Sequence, residues 1–255
     1  MSVDAGAPGG APVRRVVFWE PCESPHKSDL FTRLAALAPD IEVICCADTA
    51  LPDERREQGW SVPEATGWRT VIAPDARQIA ELVDTSPETT LHIFSGIRWV
   101  PSIVAGLARV RRSGARLALL SEPRVREGWR GEVRFLQSWL TEGWLRRRVA
   151  FVLGIGRSGP IWFRSVGYAA SRIFPFAYFV DAPPAVRPAP LSGAPVQPSV
   201  LRIGYLGRLA QSKGVHDLVS ACAMLKIPYS LTFAGSGPDH DAVQAQADAA
   251  GVPAR

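Results

Sequence analysis

The residues best placed to do chemistry lie between Ile203 and Pro238. Ile203-Gly-Tyr-Leu-Gly-Arg-Leu-Ala-Gln-Ser-Lys-Gly214 reads as a strand running into a tight turn, with Arg208 in the turn and Lys213 just ahead of a helix. Gly207 lets the backbone come close to a ligand. The helix opening at Val215 offers free N–H groups and the positive end of its dipole, a natural seat for an anion. Arg208 adds a planar fork and Lys213 a point charge, a pairing suited to a diphosphate. The next strand delivers Ala234-Gly-Ser-Gly-Pro238, a second glycine loop opening a second helix. Ligands of parallel sheets gather at the carboxyl ends of strands, where both loops fall. Either loop alone reads equally well as an ordinary turn with solvated basic residues; the two at this spacing favour a phosphate seat.

The first two thirds of the chain carry weaker signals. His92 and Ser95-Gly96 close a strand on the side expected to face a ligand, although a lone histidine in an apolar strand is more often a core residue. Arg98 and Trp99 open the following helix. The segment Trp129 to Arg148 reads as one long helix. On it Trp129, Phe135, Leu136, Trp139, Leu140, Trp144 and Leu145 share the surface with Arg130, Arg134 and Arg146-Arg-Arg148. Such a helix can lie on an anionic membrane; it reads equally as a core-packed helix whose terminal arginines complement its dipole. Cys22, Cys45, Cys46 and Cys222 form no C-x-x-C pair and the four histidines are scattered, so no metal site is expected. Cys45 and Cys46 read as buried thiols of a cytoplasmic protein.

The elements that must position these residues alternate. Strands are expected at Val13–Trp19, Ile41–Cys46, Thr70–Ile72, Thr90–Phe94, Arg116–Leu120, Phe151–Leu153 and Arg172–Phe174. Helices are expected at Ser28–Ala38, Asp75–Val83, Trp99–Arg112, Trp129–Arg148 and Ser158–Val166, with Leu51–Gly67 a Pro/Gly-punctuated connection. This alternation predicts an α/β fold with a doubly wound parallel sheet. Residues 182–199 hold six prolines and read as a linker. The pattern then restarts with strands Leu201–Tyr205 and Ser230–Ala234 and helices Val215–Lys226 and Asp239–Ala250. The expected organisation is a tail over 1–12, a Rossmann-like domain over 13–181, the linker, and an incomplete second domain over 200–255. Two strands and two helices cannot bury their own faces, so the natural chain is expected to continue.

The 255 residues are 47% hydrophobic and 21% charged, too apolar for a disordered chain. No apolar run approaches the roughly 20 residues of a membrane span, and Met1–Pro12 lacks the positive start of a secretory signal. The net charge of +5 is uneven: residues 1–96 balance at −7, 97–172 at +11 and the remainder at +1. Of 29 basic residues only Lys27, Lys213 and Lys226 are lysine. A GC-rich genome accounts for the arginine excess but not its clustering, which points to a phosphate-bearing or anionic partner. No helix-turn-helix, zinc-finger or RNA-binding pattern accompanies it, so nucleic acid is not an expected partner.

The G-R-L-x-x-x-K-G run from Gly207 to Gly214, its amphipathic helix (Val215, Leu218, Val219, Cys222, Leu225) and the G-x-G-P loop at Gly235–Pro238 resemble glycosyltransferase family 4. Phe174-Pro-Phe-Ala-Tyr-Phe-Val-Asp181 resembles the end of the first domain in bacterial exopolysaccharide and lipopolysaccharide members. The resemblance implies the GT-B fold, two Rossmann-like domains facing each other across a cleft, here with only the first two strand–helix units of the second. It implies that Arg208 and Lys213 hold the diphosphate of a UDP- or GDP-sugar and that Gly207, Gly235 and Gly237 line the donor pocket. The first domain would hold a glycan or lipid-linked acceptor, at the inner membrane face where 129–148 contacts lipid.

Three features depart from the family. The glycine-rich first loop is replaced by Trp19-Glu-Pro-Cys-Glu-Ser-Pro-His26. A common histidine position reads Ser121-Glu122, leaving Glu122 as the one candidate for a catalytic or acceptor-side role, or as a simple strand cap. By the resemblance, the family's E-x(7)-E segment is expected beyond Arg255. The expected function is a retaining, metal-independent glycosyl transfer without a cofactor; the alternative is a non-catalytic glycan- or membrane-binding remnant. A nicotinamide-dependent dehydrogenase fits poorly, because no G-x-G-x-x-G opens the first strand–helix unit.

Overall fold

A computed structural model describes residues 11–178 and 200–255. The expected tail falls outside the described residues except for residues 11 and 12, and the expected linker falls wholly outside them. The chain divides into two compact units, Met1–Pro183 and Pro184–Arg255.

The first unit runs β1 (Arg15–Cys22), α1 (Pro25–Leu37), β2 (Glu42–Thr49), α2 (Asp53–Glu57), β3 (Trp68–Ile72), α3 (Ala76–Asp84), β4 (Thr90–Phe94) and α4 (Pro101–Ser113). It continues with β5 (Arg116–Ser121), α5 (Gly128–Thr141), α6 (Gly143–Arg148), β6 (Val152–Ile155), α7 (Ser158–Ser165) and β7 (Ile173–Phe176). The seven strands form one parallel sheet in the order β3-β2-β1-β4-β5-β6-β7. Consecutive buried runs at Val16–Glu20, Val43–Ala47 and Leu117–Leu120 follow from covering both faces of the sheet. Val17 and Trp19 pack with Ile79, Leu107, Val110 and Trp162 from α3, α4 and α7, whereas Val16 and Phe18 pack on the opposite face with Phe31 of α1. Alternate side chains of one strand thus feed two cores.

Local chemistry sets the element ends. Asp75 accepts a hydrogen bond from the Gln78 amide at 2.7 Å while Gln78 accepts one from the Asp75 amide at 2.9 Å, a reciprocal cap that starts α3. Pro101 opens α4 and Gly114, in the left-handed conformation, closes it.

The structure differs from the sequence expectation at several elements, among them the start of α4, where Arg98 and Trp99 lie ahead of the helix they were expected to open. The Leu51–Gly67 connection contains the short helix α2. The helix expected over Trp129–Arg148 is two helices, broken at Glu142. Glu142 is buried and accepts from Arg98 at 2.8 Å and from the Tyr168 hydroxyl at 2.9 Å, and the flexible Gly143 follows. Arg146 donates to the carbonyls of Trp139 at 2.8 Å and Ser138 at 3.3 Å in the last turn of α5, the Ser138 carbonyl also accepting from the Glu142 amide at 3.1 Å. His92 takes the core place most often expected of a lone histidine in an apolar strand, and not the ligand edge that was the other reading. It is fully buried in β4, its Nδ1 accepts from the Trp19 indole at 3.2 Å, its Nε2 has no partner among the described residues, and burial pulls its pKa down to about 4. Burial likewise pushes the Cys45 thiol far up and that of Cys46 to about 12, so both are inert thiols inside β2.

In the second unit, β8 (Leu201–Leu206), α8 (Val215–Ala223), β9 (Tyr229–Ala234) and α9 (His240–Ala249) surround a core of Leu209, Val215, Val219, Cys222, Leu231, Val243, Ala247 and Val252. The strands β8 and β9 are parallel, and Pro253–Arg255 begins a third parallel partner beside β9. The helix expected to reach Lys226 ends at Ala223, which leaves Leu225 36% exposed outside the apolar stripe. No residue of β8 is buried, and Leu206 is 87% exposed.

Candidate functional sites

In the second unit the two glycine loops sit side by side at the carboxyl edge of β8 and β9. The Gly207 amide donates to the Ala234 carbonyl at 3.0 Å, Leu209 to Ser236 at 2.8 Å, and Asp239 back to Leu209 at 3.1 Å. A Cβ on Gly235 would fall 1.9 Å from the Gly207 carbonyl oxygen, and one on Gly237 would fall 2.1 Å from that of Leu209. Glycine is therefore demanded at both positions by the approach of one loop to the other. The Tyr205 hydroxyl donates to the Arg208 carbonyl at 2.9 Å and fixes the turn. Arg208 and Lys213 are both exposed at this edge, Lys213 ending a short 3-10 turn just before α8. His216, in the first turn of α8, lies 3.4 Å from the Asp239 carboxylate and 2.6 Å from the Gln246 side-chain oxygen. The sequence reading did not single out His216 or Asp239. All five sequence-derived binding residues, Gly207, Arg208, Lys213, Gly235 and Gly237, thus lie on two loops stitched together by backbone hydrogen bonds.

The first unit carries a second polar centre. Its strand order reverses between β1 and β4, and ligands of open α/β sheets bind in the crevice at such a switch point. Glu20, near the end of β1, is 3% exposed. Lys27, from the first turn of α1, donates to one Glu20 oxygen and, at 2.6 Å, to the Ser95 hydroxyl just beyond β4. That hydroxyl donates to the other Glu20 oxygen at 2.8 Å. Burial pushes the Glu20 carboxyl up, against the opposing pull of the Lys27 charge and of hydrogen bonds from Lys27 and Ser95. Lys27 also lies 6.0 Å from the centre of the Tyr178 ring, and the Tyr178 hydroxyl donates to Glu122 at 3.3 Å. Burial first, and then the Glu122 charge, pushes the Tyr178 phenol up to about 12. Glu122, the one catalytic candidate from the sequence, is exposed beside this chain of groups. Glu20, Lys27 and Tyr178 were not picked out. Their signal was a strand-ending acid seven residues before one of three lysines in an arginine-dominated chain.

Solved structures with this arrangement of elements decide the fold. The chain aligns with a lipopolysaccharide outer core galactosyltransferase, WaaB, in its apo form, at a TM-score of 0.61 and 14% identity over 94% of this chain and 67% of that one. It aligns with HepE from Anabaena in complex with UDP at 0.61 and 13%, over 94% and 68%, and with HepE in complex with UDP-glucose at 0.59 and 13%, over 94% and 68%. The fold is that of the GT-B glycosyltransferases. At such identities the likeness is one of fold, and this chain spans about two thirds of each GT-B neighbour. No family model and no curated protein matches the sequence.

The polar centre of the first GT-B unit makes a test of its own. Replacing Lys27 by Met leaves the buried Glu20 without its cation, a loss of about 3–5 kcal/mol at neutral pH. The native Glu20 pKa then rises further, so the folded chain keeps a proton that the unfolded chain releases. That stabilisation is present below the unfolded carboxylate pKa and is lost as pH climbs through the native value. Urea midpoints are therefore expected to show a larger gap between K27M and wild type at pH near 7.5 than near 4.5, with E20Q/K27M closing most of it. An equal gap at both pH values contradicts a buried, charged Glu20.

Proposed function

We propose that this chain belongs to a nucleotide-sugar glycosyltransferase of the family 4 kind, in which the second unit holds the donor and the first the acceptor. The observation that carries the reading is the pair of stitched glycine loops, which put Arg208, Lys213 and the start of α8 at one sheet edge. The GT-B neighbours in complex with UDP and UDP-glucose support a uridine diphosphate donor; the sequence leaves a guanosine diphosphate sugar equally open. Arg208 and Lys213 meet the charge of the departing diphosphate, so neither a metal nor a further cofactor is assigned. With retention, the bond from the anomeric carbon to the phosphate oxygen breaks, and its electrons stay on the diphosphate. The acceptor hydroxyl bonds to that carbon on the same face, and its proton passes to the departing phosphate oxygen.

The acceptor is proposed to be a glycan or a lipid-linked sugar at the cytoplasmic membrane face. Among the described residues no helix is long and apolar enough to cross a membrane. The helix α5 nevertheless exposes Trp129, Val133, Leu136 and Leu140, spaced to form one stripe, with Arg130 and Arg134 exposed beside it. The run Arg146–Arg148 contributes less than its sequence suggested. Arg146 caps α5 and also donates to Val166, while Arg148 donates to the carbonyls of Arg111 and Ala115. Co-sedimentation with phosphatidylglycerol vesicles is expected to retain the wild type and to release W129A/L136A; equal retention removes the membrane from this reading.

Calorimetric titration with UDP and GDP tests the donor site. R208A and K213A are each expected to weaken binding of the preferred nucleotide about 10- to 100-fold, the weight of a charge-assisted hydrogen bond, with an unchanged circular dichroism spectrum. Unchanged affinity in both variants overturns the assignment of the phosphate seat.

A further inference from the structure

The loop from β4 to α4 contains a residue that the fold does not explain. Trp99 adopts a left-handed backbone conformation, with φ of 73°, and is 86% exposed. A bulky residue in that region carries backbone strain of about 1–3 kcal/mol, and at this exposure the ring recovers little of it by burial. A turn that needed only this backbone shape would be better served by glycine, which the same loop uses at Gly96, with φ of 93°.

Trp99 lines a cavity at the carboxyl ends of β4 and β5. The apolar part of the lining includes Ile97, Leu119 and Trp162, and the polar part consists of Arg98, Ser121, Glu122, Arg124 and Glu142. Its polar groups are held in place. Arg98 is fixed between Glu142 at 2.8 Å and Thr141 at 2.6 Å, and Arg124 between Ser138 at 3.0 Å and Gln137 at 3.2 Å. Glu122 accepts from Tyr178. Two guanidinium groups and two carboxylates line the same cavity, so its formal charge cancels.

We infer that this cavity is a subsite for a neutral pyranose of the acceptor, with the exposed ring of Trp99 as its stacking surface. The inference rests on the acceptor-side reading of the first unit and deepens it. A pyranose has a C–H face that an aromatic plane covers, and a rim of hydroxyls that each donate and accept. A rim with fixed guanidinium donors and a fixed carboxylate acceptor matches that rim of hydroxyls. A phosphate or uronic acid is disfavoured, because Glu122 and Glu142 oppose it beside the two arginines. A purely apolar ligand is disfavoured because it would strip water from Glu122 and Arg124 without replacing its hydrogen bonds.

Saturation-transfer NMR on the full chain tests this with methyl glucopyranoside and methyl galactopyranoside, and with glucuronic acid as the charged comparison. The wild type is expected to saturate the ring C–H protons of at least one neutral glycoside, more strongly than those of glucuronic acid. W99G removes the ring and relieves the backbone. It should weaken glycoside binding at least tenfold while its melting temperature stays level or rises, which a merely structural tryptophan would not allow. W99F should keep most of the binding. UDP affinity, titrated on the same samples, should be the same in all three proteins. Absent saturation in the wild type, stronger saturation of glucuronic acid, or full glycoside binding by W99G overturns the subsite. Loss of UDP binding in the wild type would instead strike the donor-site reading alone.

Discussion

Seven parallel strands send every carboxyl end to one edge of the sheet, and that constraint places all the chemistry of the first unit. Each loop leaving a strand opens on the same side, so residues far apart in sequence become neighbours without any long-range code. Glu20 lies near the end of β1, Ser95 follows β4, Glu122 follows β5 and Tyr178 follows β7, yet through Lys27 they form one connected set. The second unit obeys the same rule on a smaller scale, with the loops after β8 and β9 joined by three backbone hydrogen bonds. A parallel sheet buries both faces and exposes its ends, so the ends are where a ligand can be met.

The two polar centres differ in how they are stabilised. In the second unit the loops are held by backbone hydrogen bonds, and the side chains of Arg208 and Lys213 lie exposed. In the first, Glu20 and Lys27 are taken out of water and must satisfy each other, with Ser95 completing the ring. Such a pair adds little net stability compared with an apolar filling, and it is costly to break. Its position at the strand-order reversal, where the sheet leaves a crevice, gives it a reason to be polar. The Glu142–Arg98–Tyr168 set does comparable work lower in the same unit: it breaks the path from α5 to α6 and fixes one wall of the Trp99 cavity.

Much of the fold was legible because the signals were local. Continuous apolar runs such as Leu117–Leu120 announced strands covered on both faces, and the helical period from Asp75 to Val83 marked α3. Thr90–Phe94 is a strand at the expected bounds. The phosphate-seat motif was legible for the same reason, since Gly207, Arg208 and Lys213 fall within seven residues. What the sequence hid was set by distant partners. The break at Glu142 depends on Arg98, 44 residues earlier, and on Tyr168, 26 residues later. Lys27 gained meaning only when β4 brought Ser95 to it. Gly235 and Gly237 were read as lining a pocket, whereas the structure gives them a steric reason in the approach of their loop to Gly207 and Leu209. His92, for which a core place was the more frequent expectation, is inside the sheet, because alternation along β4 turns it into the core beside Trp19.

The central claim is that a nucleoside diphosphate is held by the second unit on the two stitched loops. Amide hydrogen exchange of the full chain, with and without saturating UDP, tests it most directly. The account predicts slower exchange over residues 207–216 and 235–240, with the segments 20–27 and 95–101 unchanged. Protection confined to those segments of the first unit, or no protection anywhere, would contradict it.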